Sequence, residues 1–177
     1  LISPSIFASY NYNSKFKEAE SLLEKQNPKS ALAVVAEIKE QALKDKNKEQ
    51  YIKSILFYIK TDSILNEFTT EKRINSLIAE TTKSEFPKKA VLQNITAKVI
   101  WNYYNMNRFR FAQRSEIEGF VPEDIATWSL GQLIKEVNSL YKSSIEQANE
   151  LHKISVSDYS TLLVKGNDDK IRTTLYD

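Results

Sequence analysis

The sequence predicts an all-α fold, a tetratricopeptide-like array of antiparallel helix pairs with six or seven helices. Three observations carry this expectation. Apolar residues recur at helical spacing through most of the chain. Glycine occurs only 3 times in 177 residues, too rarely for the tight turns of a sheet-rich fold. Proline stands where one stripe stops and the next begins.

The first helix is expected over about Ser14 to Gln26, with Phe16, Ala19, Leu22 and Leu23 on one side and Asn27-Pro28 as its stop. Pro28 opens the second, in which Ala31, Val34, Val35, Ile38 and Ala42 form one stripe before the charged run KDKNKE. A third runs from about Glu49 to Phe68 on Ile52, Ile55, Leu56 and Ile59, and a fourth from about Thr70 to Lys83 on Ile74, Leu77, Ile78 and Thr81. Phe86-Pro87 repeats the punctuation. The fifth helix, about Lys88 to Asn107, is apolar over so much of its circumference that it is expected to lie centrally. Residues 108–127 lose the period and read as a long loop, of the kind that is functional or pinned by its own side chains. Ser129 and Gln132 have capping-box spacing for a sixth helix carrying Leu130, Leu133, Ile134, Val137, Leu140, Tyr141 and Ile145. A short seventh, about Ser155 to Lys165, is expected to end at Gly166.

This organisation gives an extended N-terminal segment, 1–13, and a single helical domain, 14–177. Within it, 14–83 forms helix pairs with a period of about 34 residues, that of tetratricopeptide repeats, and 84–177 holds the long central helix, the loop and the C-terminal helices. The aromatic and glycine positions of the repeat signature are mostly unfilled, so the array is tetratricopeptide-like rather than a regular repeat.

Composition removes whole classes of chemistry. With no Cys, the chain has no thiol nucleophile, no Cys-based zinc site and no thioester; with one histidine, His152, it has no multi-His metal centre. The net charge of +2 supplies no global field toward nucleic acid or an anionic membrane. No apolar run approaches the ~20 residues of a membrane span. The opening LISPSIFASYNYNS has neither the basic nor the apolar part of a signal peptide and starts at Leu1, so the chain reads as a fragment or a processed product. The carboxylate pairs Glu116/Glu118, Glu123/Asp124 and Asp168/Asp169 have polar neighbours and read as solvated turns. GNDDK lacks the alternating ligands and closing Glu of a calcium loop. His152 reads as a surface or capping residue. No enzyme activity, cofactor or metal is expected.

One constellation stands out. From Ser84 to Arg114 six basic residues face Glu85 alone and interleave with Trp101, Tyr103, Tyr104, Phe109 and Phe111. Three readings follow for Trp101, Tyr104, Arg108, Phe109, Arg110, Phe111, Arg114 and Trp128. They form a latch in which rings pin the 108–127 loop to the fifth helix while the arginines pair with Glu116, Glu118, Glu123 or Asp124; or a protein-contact surface; or a grip on single-stranded nucleic acid. The latch is the leading reading, and it makes truncation of Trp101 costly.

The runs FPKKAVLQ, WNYYNMNRFRFAQRS, PEDIATWSLGQLI and DYSTLLVKGNDDKIRTTLYD resemble the helical region near the N-terminus of large bacterial alpha-2-macroglobulin-like proteins. NPKSALAVVAEIKEQALKDKN is similar to the tetratricopeptide-like pair before it. One departure is Thr173, where the related ending usually carries proline. The resemblance implies a place in an exported, often lipid-anchored protease trap whose bait and thioester parts lie in β-sandwich domains downstream. For this chain it implies a non-catalytic interaction or scaffold module, periplasmic or in the cell envelope. Its expected partners are the downstream domains of the same polypeptide and another envelope protein or a protease, with no nucleic acid. The alternatives are a free-standing tetratricopeptide-like adaptor and, more weakly, a nucleic-acid-binding helical module.

Overall fold

The computed structural model describes residues 10–112, 121–163 and 171–177. Among them there is no strand. Eight α-helices follow one another: α1 (Tyr12–Glu24), α2 (Pro28–Lys44), α3 (Lys48–Leu65), α4 (Thr70–Lys83), α5 (Lys88–Met106), α6 (Arg108–Ala112), α7 (Leu130–Ser144) and α8 (Ala148–Leu151). Two 3₁₀ segments, Ile125–Thr127 and Val156–Leu162, complete them. None of the helices is long and apolar enough to cross a membrane.

This count exceeds the six or seven expected, and the excess has identifiable origins. α6 lies in the stretch read as loop. It restarts one residue after α5, at Asn107, and is too short to show a period. α8 was missed for the same reason. The expected seventh helix is the 3₁₀ segment Val156–Leu162, kinked at Tyr159, and its proposed Gly166 cap lies outside the described residues. At the N-terminus, α1 begins inside the segment expected to be extended, because Asn11 accepts from the Ser14 amide at 2.9 Å and caps it.

The links between the first helices share a design. After α1, the Asn27 amide donates to the Leu22 carbonyl and the Gln26 amide to the Leu23 carbonyl, both at 2.9 Å, the paired bonds of a Schellman turn. After α2, Asn47 donates to Ala42 and Lys46 to Leu43 in the same way; after α3, Phe68 donates to Ser63. Each turn needs a left-handed residue, and none has glycine there: Gln26, Lys46 and Glu67 have φ of 56°, 54° and 50°. Asn27 and Asn47 then cap the next helix, accepting from the amides of Ser30 and Gln50. One short link therefore closes one helix and opens another.

Helices pack mainly on their chain neighbours. α2 lies between α1 and α3, α4 between α3 and α5, and α5 also against α6 and α7. Phe16, Ala19, Ala31, Val35 and Ile38 are buried in the first helices. Two larger apolar clusters follow. One joins Ile52 and Ile55 of α3 to Leu77, Leu92 and Tyr159. The other gathers Ile74, Ile100, Tyr103, Phe111, Ile125, Trp128, Leu133 and Val137. α5 contributes to both clusters, the central position its wide apolar surface predicts. The C-terminal residues return to the first of these clusters through Leu175, whose amide donates to the Ile154 carbonyl at 3.0 Å, while the Val156 amide donates to the Thr173 carbonyl.

Candidate functional site

The aromatic and basic stretch occupies the end of α5, α6 and the segment 121–128, which meet the N-terminal half of α4. Arg108, Phe109, Arg110 and Phe111 are helical rather than extended, so the expected segregation of rings to one side and guanidinium groups to the other does not form. A helical turn sends Phe109 and Phe111 in different directions. Phe111 is 1% exposed and Phe109 is 89% exposed.

Phe111 sits against two consecutive rings of α5, with centroids 5.8 Å from both Tyr103 and Tyr104 in edge-to-face contact. Tyr104 in turn touches Trp101, 5.2 Å away. The rings run from core to surface, and Trp101 at their outer end is 41% exposed. Trp128 is buried, and its indole Nε1–H donates to the Val121 carbonyl at 3.0 Å. Thr127 closes the same loop: its Oγ1 accepts from the Val121 amide at 3.0 Å and donates to the Asp124 carbonyl at 2.8 Å.

Pinning of the segment thus falls to Phe111 and Trp128, with Tyr104 packed beside them. Trp101 and Phe109, expected to share it, are 41% and 89% exposed. The arginines differ too. Arg110 Nη1 reaches Glu71 Oε1 on α4 at 3.0 Å, a partner outside the acids expected for it. Arg108 is exposed and makes no ion pair among the described residues. Arg114, Glu116 and Glu118 lie outside the described residues, as do Asp168 and Asp169.

Two residues that sequence reasoning missed organise the junction. Glu71, in the first turn of α4, accepts from the Tyr103 hydroxyl at 2.6 Å as well as from Arg110. The Tyr103 hydrogen bond holds the Glu71 carboxyl below its ordinary 4.5; partial burial opposes this, and Arg110 adds to it. Asn75, one turn on, uses both ends of its amide: Nδ2 donates to Asp124 Oδ1 at 2.8 Å and Oδ1 accepts from the Ile125 amide at 3.0 Å. Asp124 also accepts from the Ala126 amide, so this carboxylate caps a 3₁₀ turn. These partners lie 32 to 50 residues apart, beyond any local spacing signal.

Elsewhere, His152 caps α8, lies exposed and stacks on Tyr176 with centroids 4.2 Å apart. A groove of about 350 Å³ runs between α2, α3 and α4 past Tyr58, Ile59, Asp62 and Lys83, bridged by the Lys39–Glu80 pair at 3.9 Å. Among the described residues no group of three or more His, Cys, Asp or Glu is placed to hold a metal ion.

Comparison with family profiles, with curated proteins and with solved structures returns no match to this chain.

Proposed function

We propose that the chain is a non-catalytic interaction module of tetratricopeptide-like helix pairs. In this reading it stands near the N-terminus of an exported alpha-2-macroglobulin-like protease inhibitor, periplasmic or in the cell envelope and lipid-anchored in its precursor. The observation that carries the interaction reading is the exposure, within one stretch of nine residues, of Phe109 at 89%, Met106 at 86% and Trp101 at 41%. Large apolar side chains grouped in water cost solubility and mark contact surfaces. The short links and the pairing of α1 with α2 and of α3 with α4 support the tetratricopeptide-like part. The family context rests on the runs from Phe86 to Trp128 and the TLYD ending. At Thr173 the structure uses an N–H, donated to Asp177 at 2.9 Å, that proline would lack, so this residue changes the local turn.

The test places a photo-crosslinking amino acid at position 109 and, as a control, at exposed Lys44 on α2, in the chain expressed in its own cell envelope. A discrete protein adduct from position 109 alone is expected. Equal labelling from both positions, or none from 109, overturns the reading. The reading frame supplies the other arm, since β-sandwich domains after Asp177 are required by the family context.

A further inference from the structure

We infer that the exposed face of α5 and α6 binds an acidic protein segment that carries large apolar side chains. The inference rests on the interaction-module reading and specifies its partner. On α5 the residues Asn94, Lys98, Trp101, Asn102, Asn105 and Met106 are all exposed. Their spacing, at i, i+4, i+7, i+8, i+11 and i+12, places them on one side of the helix. The buried residues Leu92, Thr96, Ile100 and Tyr103 occupy the other. Arg108 and Phe109, both exposed, open α6 directly after Asn107.

The charge on this face is of one sign. From Phe86 to Ala112 the sequence contains no Asp or Glu. Arg110 is engaged by Glu71, and Lys88 lies over the Tyr51 ring at 4.2 Å. Lys98 and Arg108 make no ion pair among the described residues, and they flank the apolar side chains with no acid of their own helices to neutralise them. A partner that covers Met106 and Phe109 gains by bringing carboxylates to these two cations, because opposite charge complements them and like charge is repelled. The composition is that of a protein interface core, in which Trp, Phe, Met and Arg are enriched. Single-stranded nucleic acid fits less well. Its backbone needs a continuous track of cations, and among the described residues Lys98 and Arg108, separated along the chain by Met106, do not form one. The Trp101 ring is also already engaged by Tyr104.

Selection of a phage-displayed random peptide library on the purified chain tests the inference. Selected clones are expected to be enriched in Asp and Glu together with Phe, Leu, Ile or Trp. Each of Phe109→Ala and Arg108→Glu should weaken them roughly ten-fold or more, the scale of a binding hot spot. Both side chains are exposed, so the melting temperature of both variants should stay at the parent value, which separates lost binding from lost folding. No selected clones, neutral or basic clones, or clones indifferent to both substitutions would overturn it. A labelled oligothymidylate bound with Phe109-dependent affinity, in the absence of acidic clones, would replace it with nucleic-acid binding. A position-109 adduct to a protein segment without acidic residues would sink this inference and leave the interaction module standing; no adduct would remove both.

Discussion

The hydroxyls of Thr81 and Thr96 meet at 2.8 Å in the buried seam between α4 and α5, and the order of their protons is fixed. Thr81 Oγ1 donates to the Leu77 carbonyl at 2.8 Å. A hydroxyl has one hydrogen, so Thr96 must donate to Thr81. The two threonines are therefore unequal. Thr81→Val leaves a buried donor on Thr96 without its acceptor and is expected to cost about 1–3 kcal/mol. Thr96→Val removes a donor from an oxygen whose own hydrogen stays bonded and is expected to cost about 1 kcal/mol or less. Urea unfolding of the two variants measures the difference, and equal costs would contradict the proton order.

Glu71 gives the fold a pH dependence of known sign. Its carboxyl is held below its ordinary 4.5 in the folded chain, so the folded state favours the ionised form. The stability this supplies is fully present above the ordinary value and is lost as pH falls through the lowered folded value. Glu71→Gln is expected to cost about 1.5 kcal/mol at neutral pH, the scale of a hydrogen bond to a charged group. Thermal melts between neutral pH and pH about 3 should show a shallower acid loss in the variant than in the parent. Parallel curves would exclude Glu71 as a source of the acid loss.

Tyr159 buries its ring in the cluster around Ile52 and Leu92 while its hydroxyl has no partner among the described residues, and burial raises that hydroxyl to about 12. An unpaired buried polar group is a cost that a phenyl ring avoids. Tyr159→Phe is expected to stabilise the chain by about 1 kcal/mol, seen as a higher urea midpoint with unchanged slope. A lower midpoint would mean that the hydroxyl is satisfied.

The aromatic residues should divide sharply by position. Trp128→Ala opens a cavity in the cluster around Ile100 and Leu133 and removes the bond to Val121, with an expected cost of about 3–5 kcal/mol. Phe109→Ala should stay within about 0.5 kcal/mol of the parent. Trp101→Ala, which strips only one partner from Tyr104, should cost about 1 kcal/mol. Calorimetric melts of the three variants give the ranking directly, and a large loss at Phe109 would contradict its placement.

The long elements were legible because periodicity and caps agree. α4 begins and ends where its stripe does, Pro28 opens α2, and Ser129 with Gln132 forms the capping box that their spacing announces. α6 was not legible. Five residues cannot display a period, and RFRF alternates in a way that suits a strand better than a helix. The ends of α1 to α3 carry a different difficulty, since the left-handed turn positions hold Gln, Lys and Glu, and the break is signalled by the residues that follow, Asn27 with Pro28 and Asn47. In the candidate site, the burial of Phe111 and the exposure of Phe109 follow from helical phase, whereas a strand-like reading puts both rings on one side. Glu71 and Asn75 act across the fold, so nothing near them in the chain could identify their partners.

The neighbour-to-neighbour packing of α1 through α5 has a kinetic meaning. Each docking step closes only a short link, so little chain entropy is spent before apolar contact begins to offset it. The seam between α5 and α7 is of another kind, for it must close across residues 107–129. The N-terminal helices can therefore zip together one upon the next, while assembly around Trp128 waits on a longer search. In hydrogen exchange, α1 belongs at the fraying end of that zipper, and α5, held in both large clusters, at the slowest-opening point.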